Sequence, residues 1–170
     1  MVGGRDDVFR MYEPLFRDLS VDHGYAYVGP SGSGHFVKMV HNGIEYGMMQ
    51  ALAEGFTVLK RSPFGLDLSR VAELYARRSV IESRLVSWLK DAYERFGPEL
   101  RDISGTVAHS GEGTWTVEAA KELGVAVPII EASLEFRLRS AKDPTYTGRV
   151  VSALRHEFGG HQVEEKKKKS

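Results

Sequence analysis

The chain has 170 residues, 23 basic against 23 acidic side chains, and no cysteine. That length makes one ordinary domain, or a domain with an added edge piece, with enough chain for a core. Zero formal net charge gives no bulk field for nucleic acid or an anionic membrane, so an anionic ligand must be met by local clusters; the missing cysteines exclude disulfides and thiolate metal sites.

Taken in order, the first residues, Met1 to Gly4, read as the end of a strand running into a turn. They carry neither the basic region nor the apolar run of a signal peptide. Asp6 or Asp7 caps a helix through Leu19, with Val8, Met11, Tyr12, Leu15, Phe16 and Leu19 as its apolar stripe and Pro14 as a kink or restart. Tyr25 to Val28 is a short strand closed by Gly29-Pro30. Residues 1–30 therefore read as a β–α–β edge piece. Gly29, Gly32 and Gly34 do not make a dinucleotide fingerprint, because no acidic-tipped βαβ unit follows them. They read as a tight turn feeding the next helix.

That helix is the centre of the chain. Ser33 to Lys60 reads as one continuous element, capped by Ser31 or Ser33 and stopped at Arg61-Ser62-Pro63, about 40 Å long at 1.5 Å per residue. At about 100° per residue, Lys38, His41, Asn42 and Glu45 share one arc. Met49, Leu52 and Phe56 continue that side, which predicts a buried or cleft-lining position for the four polar groups. Gly43, Gly47, Ala51 and Gly55 recur on the far side. Each helical glycine costs on the order of 1 kcal/mol against alanine, so the stripe predicts close approach of another backbone.

After Pro63 the pattern is helical almost throughout. Two helices run from an Asp67 or Ser69 cap to Phe96, with a break near Arg78-Ser79. Residues 98–113 read as a loop, Thr114 caps a helix to Leu123, Pro128 opens one to about Ala141, and Asp143-Pro144 opens the last, through Phe158. The tail HQVEEKKKKS is a charge run of the disordered kind. The fold class is all-α on one long central helix, with the small β–α–β piece in front. The domain reading is 1–30 as that piece, 31–160 as the helical domain and 161–170 as tail. No run of about 18 apolar residues exists to span a membrane, and a cytoplasmic setting is expected.

The stretch Gly34 to Phe56, GHFVKMVHNGIEYGMMQALAEGF, closely resembles the signature of the decarboxylating 6-phosphogluconate dehydrogenases. More loosely, Gly34, Lys38 and Asn42 resemble the glycine–lysine–asparagine pattern of the wider β-hydroxyacid dehydrogenases. The segment RHEFGGH, from Arg155 to His161, resembles the family's C-terminal arginine and histidine, and GEGTWT from Gly111 resembles its glycine-rich loop ahead of a tryptophan. The order of these motifs is kept over residues 1 to 163. The resemblance implies a helical C-terminal domain, normally preceded by a Rossmann domain of which residues 1–30 are the last part. It implies oxidative decarboxylation of 6-phosphogluconate to ribulose 5-phosphate, with NAD or NADP bound mainly by a domain outside this sequence. The chain by itself is then expected to be inactive.

The residue chemistry agrees with that reading. A lysine desolvated on a packed helix has its pKa lowered and can take the substrate's hydroxyl proton. A carboxyl two turns on, Glu45, can protonate the enediol left by decarboxylation, the two groups forming an acid/base pair with separated environments. His41 and Asn42 orient the substrate by hydrogen bonds. No metal is required, since protonated Lys38 can polarise the ketone. The resemblance adds Tyr46 as a phosphate contact, Arg137 or Arg139 as a phosphate cation, and Arg155 and His161 as cations given across a homodimer or higher homo-oligomer. Ser110 and Glu112 depart from the family's glycine-rich loop, and a glutamate near a phosphate is unfavourable. Two further readings stand beside this one: a helical dimerisation module without catalysis, and another β-hydroxyacid dehydrogenase. Retained Lys38, Asn42 and Glu45 weigh against the former, and Glu45 with Tyr46 against the latter.

Overall fold

A computed structural model describes residues 1–160 of the chain. It holds seven helices and one two-stranded parallel sheet among those residues, the all-α architecture with a small β piece that the sequence predicts. Two compact units divide it, one of Met1–Glu45 with Gly111–Ala126, the other of Tyr46–Ser110 with the residues from Val127 onward.

The first unit begins with β1 (Val2–Gly3), α1 (Asp6–Asp18) and β2 (Tyr27–Gly29). The Val2 amide donates to Ala26 O at 2.9 Å and the Gly4 amide to Gly29 O at 3.0 Å, which sets the parallel register. Phe9 of α1 packs on Phe16 and Tyr27, with ring centroids 5.6 and 5.3 Å away. Pro14 lies inside α1 without restarting it, so the restart is corrected; proline removes one amide donor, and on an exposed helix water can satisfy the carbonyl it strands. The sheet strand starts at Tyr27 rather than Tyr25.

Gly29 and Gly32 hold φ of 131° and 92°, a region L side chains avoid, and turn the chain into α2 (Ser33–Arg61). A side chain at Gly34 would meet the Gly3 amide nitrogen at 2.9 Å, so β1 and the start of α2 touch backbone to backbone. The unit is completed by α5 (Glu112–Glu122), whose N-cap is Gly111 at φ 102°, three residues before the expected cap Thr114. Glu112 therefore stands in the first turn of a helix, where the dipole favours an acid.

The far-side stripe of α2 needs correction in part. A Cβ at Gly43 would meet Thr116 Cγ2 at 2.5 Å and Thr116 Cβ at 2.9 Å, while one at Gly55 meets nothing, and Ala51 is exposed. Close approach is confined to Gly43, and its partner is a side chain, not a backbone. Thr116 is fixed there because its hydroxyl lies 2.9 Å from both Met39 O and Glu112 O. Alanine at Gly43 gains about 1 kcal/mol of helix propensity but overpacks a branched neighbour at a cost of about 1–3 kcal/mol. Gly43→Ala is thus expected to lower the urea midpoint, and a raised midpoint would refute the contact.

The second unit packs the rest of α2 against α3 (Leu68–Tyr75), α4 (Arg84–Phe96), α6 (Pro128–Ser140) and α7 (Tyr146–Gly159). Its core is built from Met49, Phe56, Leu68, Leu89, Leu100, Ile103 and Leu154 with Val150 and Val151. The Asp67, Ser83 and Thr145 side chains accept hydrogen bonds from the amides of Arg70, Val86 and Gly148, which is why α3, α4 and α7 start where they do. The last helix thus begins after Thr145 rather than at Asp143. Between α3 and α4, Arg78 adopts φ 57°, the expected break. Gly148 faces the Gly105 carbonyl so closely that no side chain fits. Beside it, Tyr93 and Tyr146 share a hydroxyl contact of 3.0 Å, and Tyr146 donates to Pro98 O at 2.9 Å. Burial, the largest cause, raises the Tyr93 phenol and pushes Tyr146 up to about 12, so both stay neutral hydrogen-bonding groups tying α4 to α7.

Candidate functional site

In the first unit, α2 carries the four polar residues of the predicted arc, and their side chains meet at His41. Its Nδ1 lies 3.2 Å from Lys38 Nζ, 3.1 Å from Asn42 Oδ1 and 3.9 Å from Glu45 Oε2. Helical spacing explains the meeting, since positions three and four apart share a face. One ring nitrogen cannot both accept and donate. When bare, Nδ1 accepts from the Lys38 ammonium. When protonated, it donates to Asn42 Oδ1 and faces the Glu45 carboxylate.

Of the buried or cleft-lining position expected for these four groups, the buried alternative is corrected for two of them. Lys38 and His41 are exposed, and Asn42 and Glu45 are half-buried. The wheel extended burial from Met49 and Phe56 back along the arc, but these pack in the core of the second unit. A helix changes neighbours along its length, and burial at one end is no measure of burial at the other.

The second unit holds the other candidates. Tyr46 is buried, and its hydroxyl has no hydrogen-bond partner among the described residues. The Arg137 guanidinium lies 3.3 Å from the Tyr46 ring centroid, and Nη2 is 3.6 Å from Met49 Sδ. Arg137 is 3 % exposed whereas Arg139 is exposed on the outer side of α6, which separates the two register alternatives. A buried cation needs partners, and stacking on an aromatic face supplies part of that. Arg155 is likewise buried, on α7. His161 lies outside the described residues.

Gln50 escaped the sequence reading. It is buried one turn beyond Tyr46, and its amide nitrogen donates to Glu54 Oε1 at 2.7 Å. A carboxylate only accepts, so this bond fixes the amide orientation and leaves Gln50 Oε1 as a buried acceptor without a protein partner. Its spacing of four from Tyr46 was the available signal.

No dinucleotide site can be assembled from the residues present: the sheet of the described residues has two strands, and the glycine turn leads straight into α2. The residues therefore do not fit a nicotinamide cofactor by themselves. No helix of the described residues is long and apolar enough to cross a membrane.

A helical domain organised on one long helix, with a lysine–histidine–asparagine–glutamate face, is the class that fold and site define. Comparison with known proteins narrows it. Residues 34–170 match the family profile described as 6-phosphogluconate dehydrogenase, C-terminal domain. "Putative 6-phosphogluconate dehydrogenase YqeC" of Bacillus subtilis is 51% identical over 166 residues, 98% of this chain and 56% of that protein. The NAD(+)-dependent, decarboxylating 6-phosphogluconate dehydrogenase of Haloferax volcanii is 41% identical over 167 residues, again 98% of this chain and 56% of that one. A decarboxylating 6-phosphogluconate dehydrogenase of Synechococcus elongatus is 38% identical over 154 residues, 83% of this chain and 32% of its own. The chain belongs to the 6-phosphogluconate dehydrogenase family and carries its C-terminal domain. It spans about half the length of the first two relatives.

Proposed function

We propose that this chain is the substrate-binding and proton-transferring domain of a decarboxylating 6-phosphogluconate dehydrogenase, converting 6-phosphogluconate to ribulose 5-phosphate and CO2. The observation that carries this reading is the junction of Lys38, Asn42 and Glu45 at His41, on the helix with which the family match begins. The names of relatives specify NAD(+) for one and NADP(+) for another. Here the nicotinamide is held mainly by residues outside this sequence, and this chain alone is inactive.

Within that reading, Lys38 as neutral amine removes the hydroxyl proton of the sugar acid. As ammonium it then polarises the ketone, drawing electrons from the bond to the departing carboxylate. Glu45 delivers a proton to the carbon that loses CO2. Asn42 and His41 orient the acid end. Tyr46 and Arg137 hold the phosphate, with a phenol donor and a cation. Arg155 and His161 complete that grip from the partner of a homodimer. Residues 1–30 are the last part of the nicotinamide-binding domain, 31–160 the substrate and dimer domain, and the setting is the cytoplasm.

Glu45→Gln in the full-length enzyme tests the division of labour. Formation of ribulose 5-phosphate is expected to slow by about 10²-fold or more, while the first burst of oxidation changes far less. Equal loss on the two steps, followed by single-turnover kinetics, would remove Glu45 from the acid role.

A further inference from the structure

Two polar atoms of the second unit are buried without a bond, one helical turn apart on α2. Tyr46 and Gln50 are 6 % and 7 % exposed, and neither the Tyr46 hydroxyl nor Gln50 Oε1 has a hydrogen-bond partner among the described residues. Positions four apart share a helix face. The Arg137 guanidinium of α6, itself 3 % exposed, lies against the same stretch of α2, on the Tyr46 ring and 3.6 Å from Met49 Sδ. Buried polar atoms are costly to leave unmatched. A glutamine carbonyl kept in that state beside a tyrosine and an arginine points to a ligand that completes it.

The way the amide is held decides the chemistry of the partner. Gln50 Nε2 donates to Glu54 Oε1 at 2.7 Å, and a carboxylate only accepts. That bond keeps the nitrogen on the Glu54 side and leaves the carbonyl as the open end. A carbonyl accepts, so its partner must donate. A phosphate dianion has no proton to give, and here it would meet a second acceptor. A cationic donor is disfavoured by the guanidinium over Tyr46 and Met49. A neutral donor remains, and in a hydroxylated sugar acid that donor is an alcohol.

We infer that Gln50 is a specificity-determining residue, accepting a hydrogen bond from the substrate hydroxyl on the carbon next to the phosphate-bearing one. The inference rests on the phosphate site proposed above and deepens it. Tyr46 and Arg137 hold the phosphate, and Gln50, one turn along the same face, reads the neighbouring alcohol. The ligand class is thereby a phosphorylated polyhydroxy acid rather than any phosphomonoester. Glu54 is a positioning residue that acts through the amide it orients. Without it the amide can turn and offer its NH2, which a phosphate oxygen accepts, so a ligand lacking the alcohol is no longer at a disadvantage.

The test is calorimetric binding to the full-length enzyme at about pH 8, where the phosphate carries no proton. The two ligands are 6-phosphogluconate and its 5-deoxy analogue. The wild type is expected to bind the hydroxylated ligand at least about tenfold tighter, because the carbonyl is met in one complex and left bare in the other. Gln50→Leu, which keeps an aliphatic side chain and removes the acceptor, is expected to bind both equally. Glu54→Ala, at an exposed position, is expected to narrow the difference by tightening the analogue, an effect that lost packing does not produce. It also carries the test if Gln50→Leu fails to fold. Equal affinity of the wild type for both ligands overturns the inference, the carbonyl then being met by water alone. So does a preference that either variant leaves unchanged. Binding is read apart from turnover, which separates the two readings. Turnover of 6-phosphogluconate with equal affinities keeps the dehydrogenase reading and removes Gln50, a tenfold preference without turnover does the reverse, and binding of neither ligand removes both.

Discussion

Alanine in place of Lys38, in the full-length enzyme, is expected to lower kcat by more than about 10³-fold with a much smaller change in KM. The reason is the specific position of the amine. Among the side chains that meet at His41, Lys38 alone can be a strong base when neutral and a cation when protonated, and both states are needed in turn. Added primary amines are expected to restore part of the lost rate, because they replace the proton acceptor without rebuilding the fold. Circular dichroism should not change, since Lys38 is exposed and packs in no core. Near-normal turnover in Lys38→Ala would end the base assignment and, with it, the reading of α2 as the reactive element.

The second large effect is at Arg137. Arg137→Met keeps an unbranched side chain against Tyr46 and Met49 and removes the charge. Hydrogen bonds to charged groups contribute about 1.5–3 kcal/mol, and the upper figure corresponds to roughly a 100-fold rise in KM for the phosphorylated substrate. KM for the sugar acid without phosphate is expected to stay the same. Equal weakening toward both substrates would show that Arg137 only packs, and would move the phosphate contact elsewhere.

These two residues differ in how visible they are before coordinates. Lys38 stands in a helical arc with His41, Asn42 and Glu45, and spacing of three and four along a helix is fixed by local geometry. Their meeting was therefore legible in the sequence, as were the bounds of α2 to within a residue and the position of α6 from Pro128. Arg137 was not separable from Arg139 until the fold buried one and exposed the other, because their helical offset only matters once a neighbour is placed. Gln50 went unnoticed for the same reason: a glutamine becomes informative when its carbonyl is buried without a donor, and burial is a property of packing.

The misread features follow one pattern. The glycine stripe of α2 predicted a backbone along its whole length, whereas Thr116 meets Gly43 alone. Burial of Lys38 and His41 was extrapolated along the helix, and α2 passes from one compact unit into the other at Glu45–Tyr46. Each error carried a local rule past the point where the neighbours change.

By itself the sequence determined the helical class, the order of the main elements, the bounds of α2 to within a residue, and the set of groups that share the front of α2, because these depend on periodicity, caps and turns within a few residues of chain. Tertiary structure decided which of those groups are covered and which arginine is interior. Those outcomes are set by contacts between segments far apart in the chain, and no local pattern encodes the distance across which such segments meet.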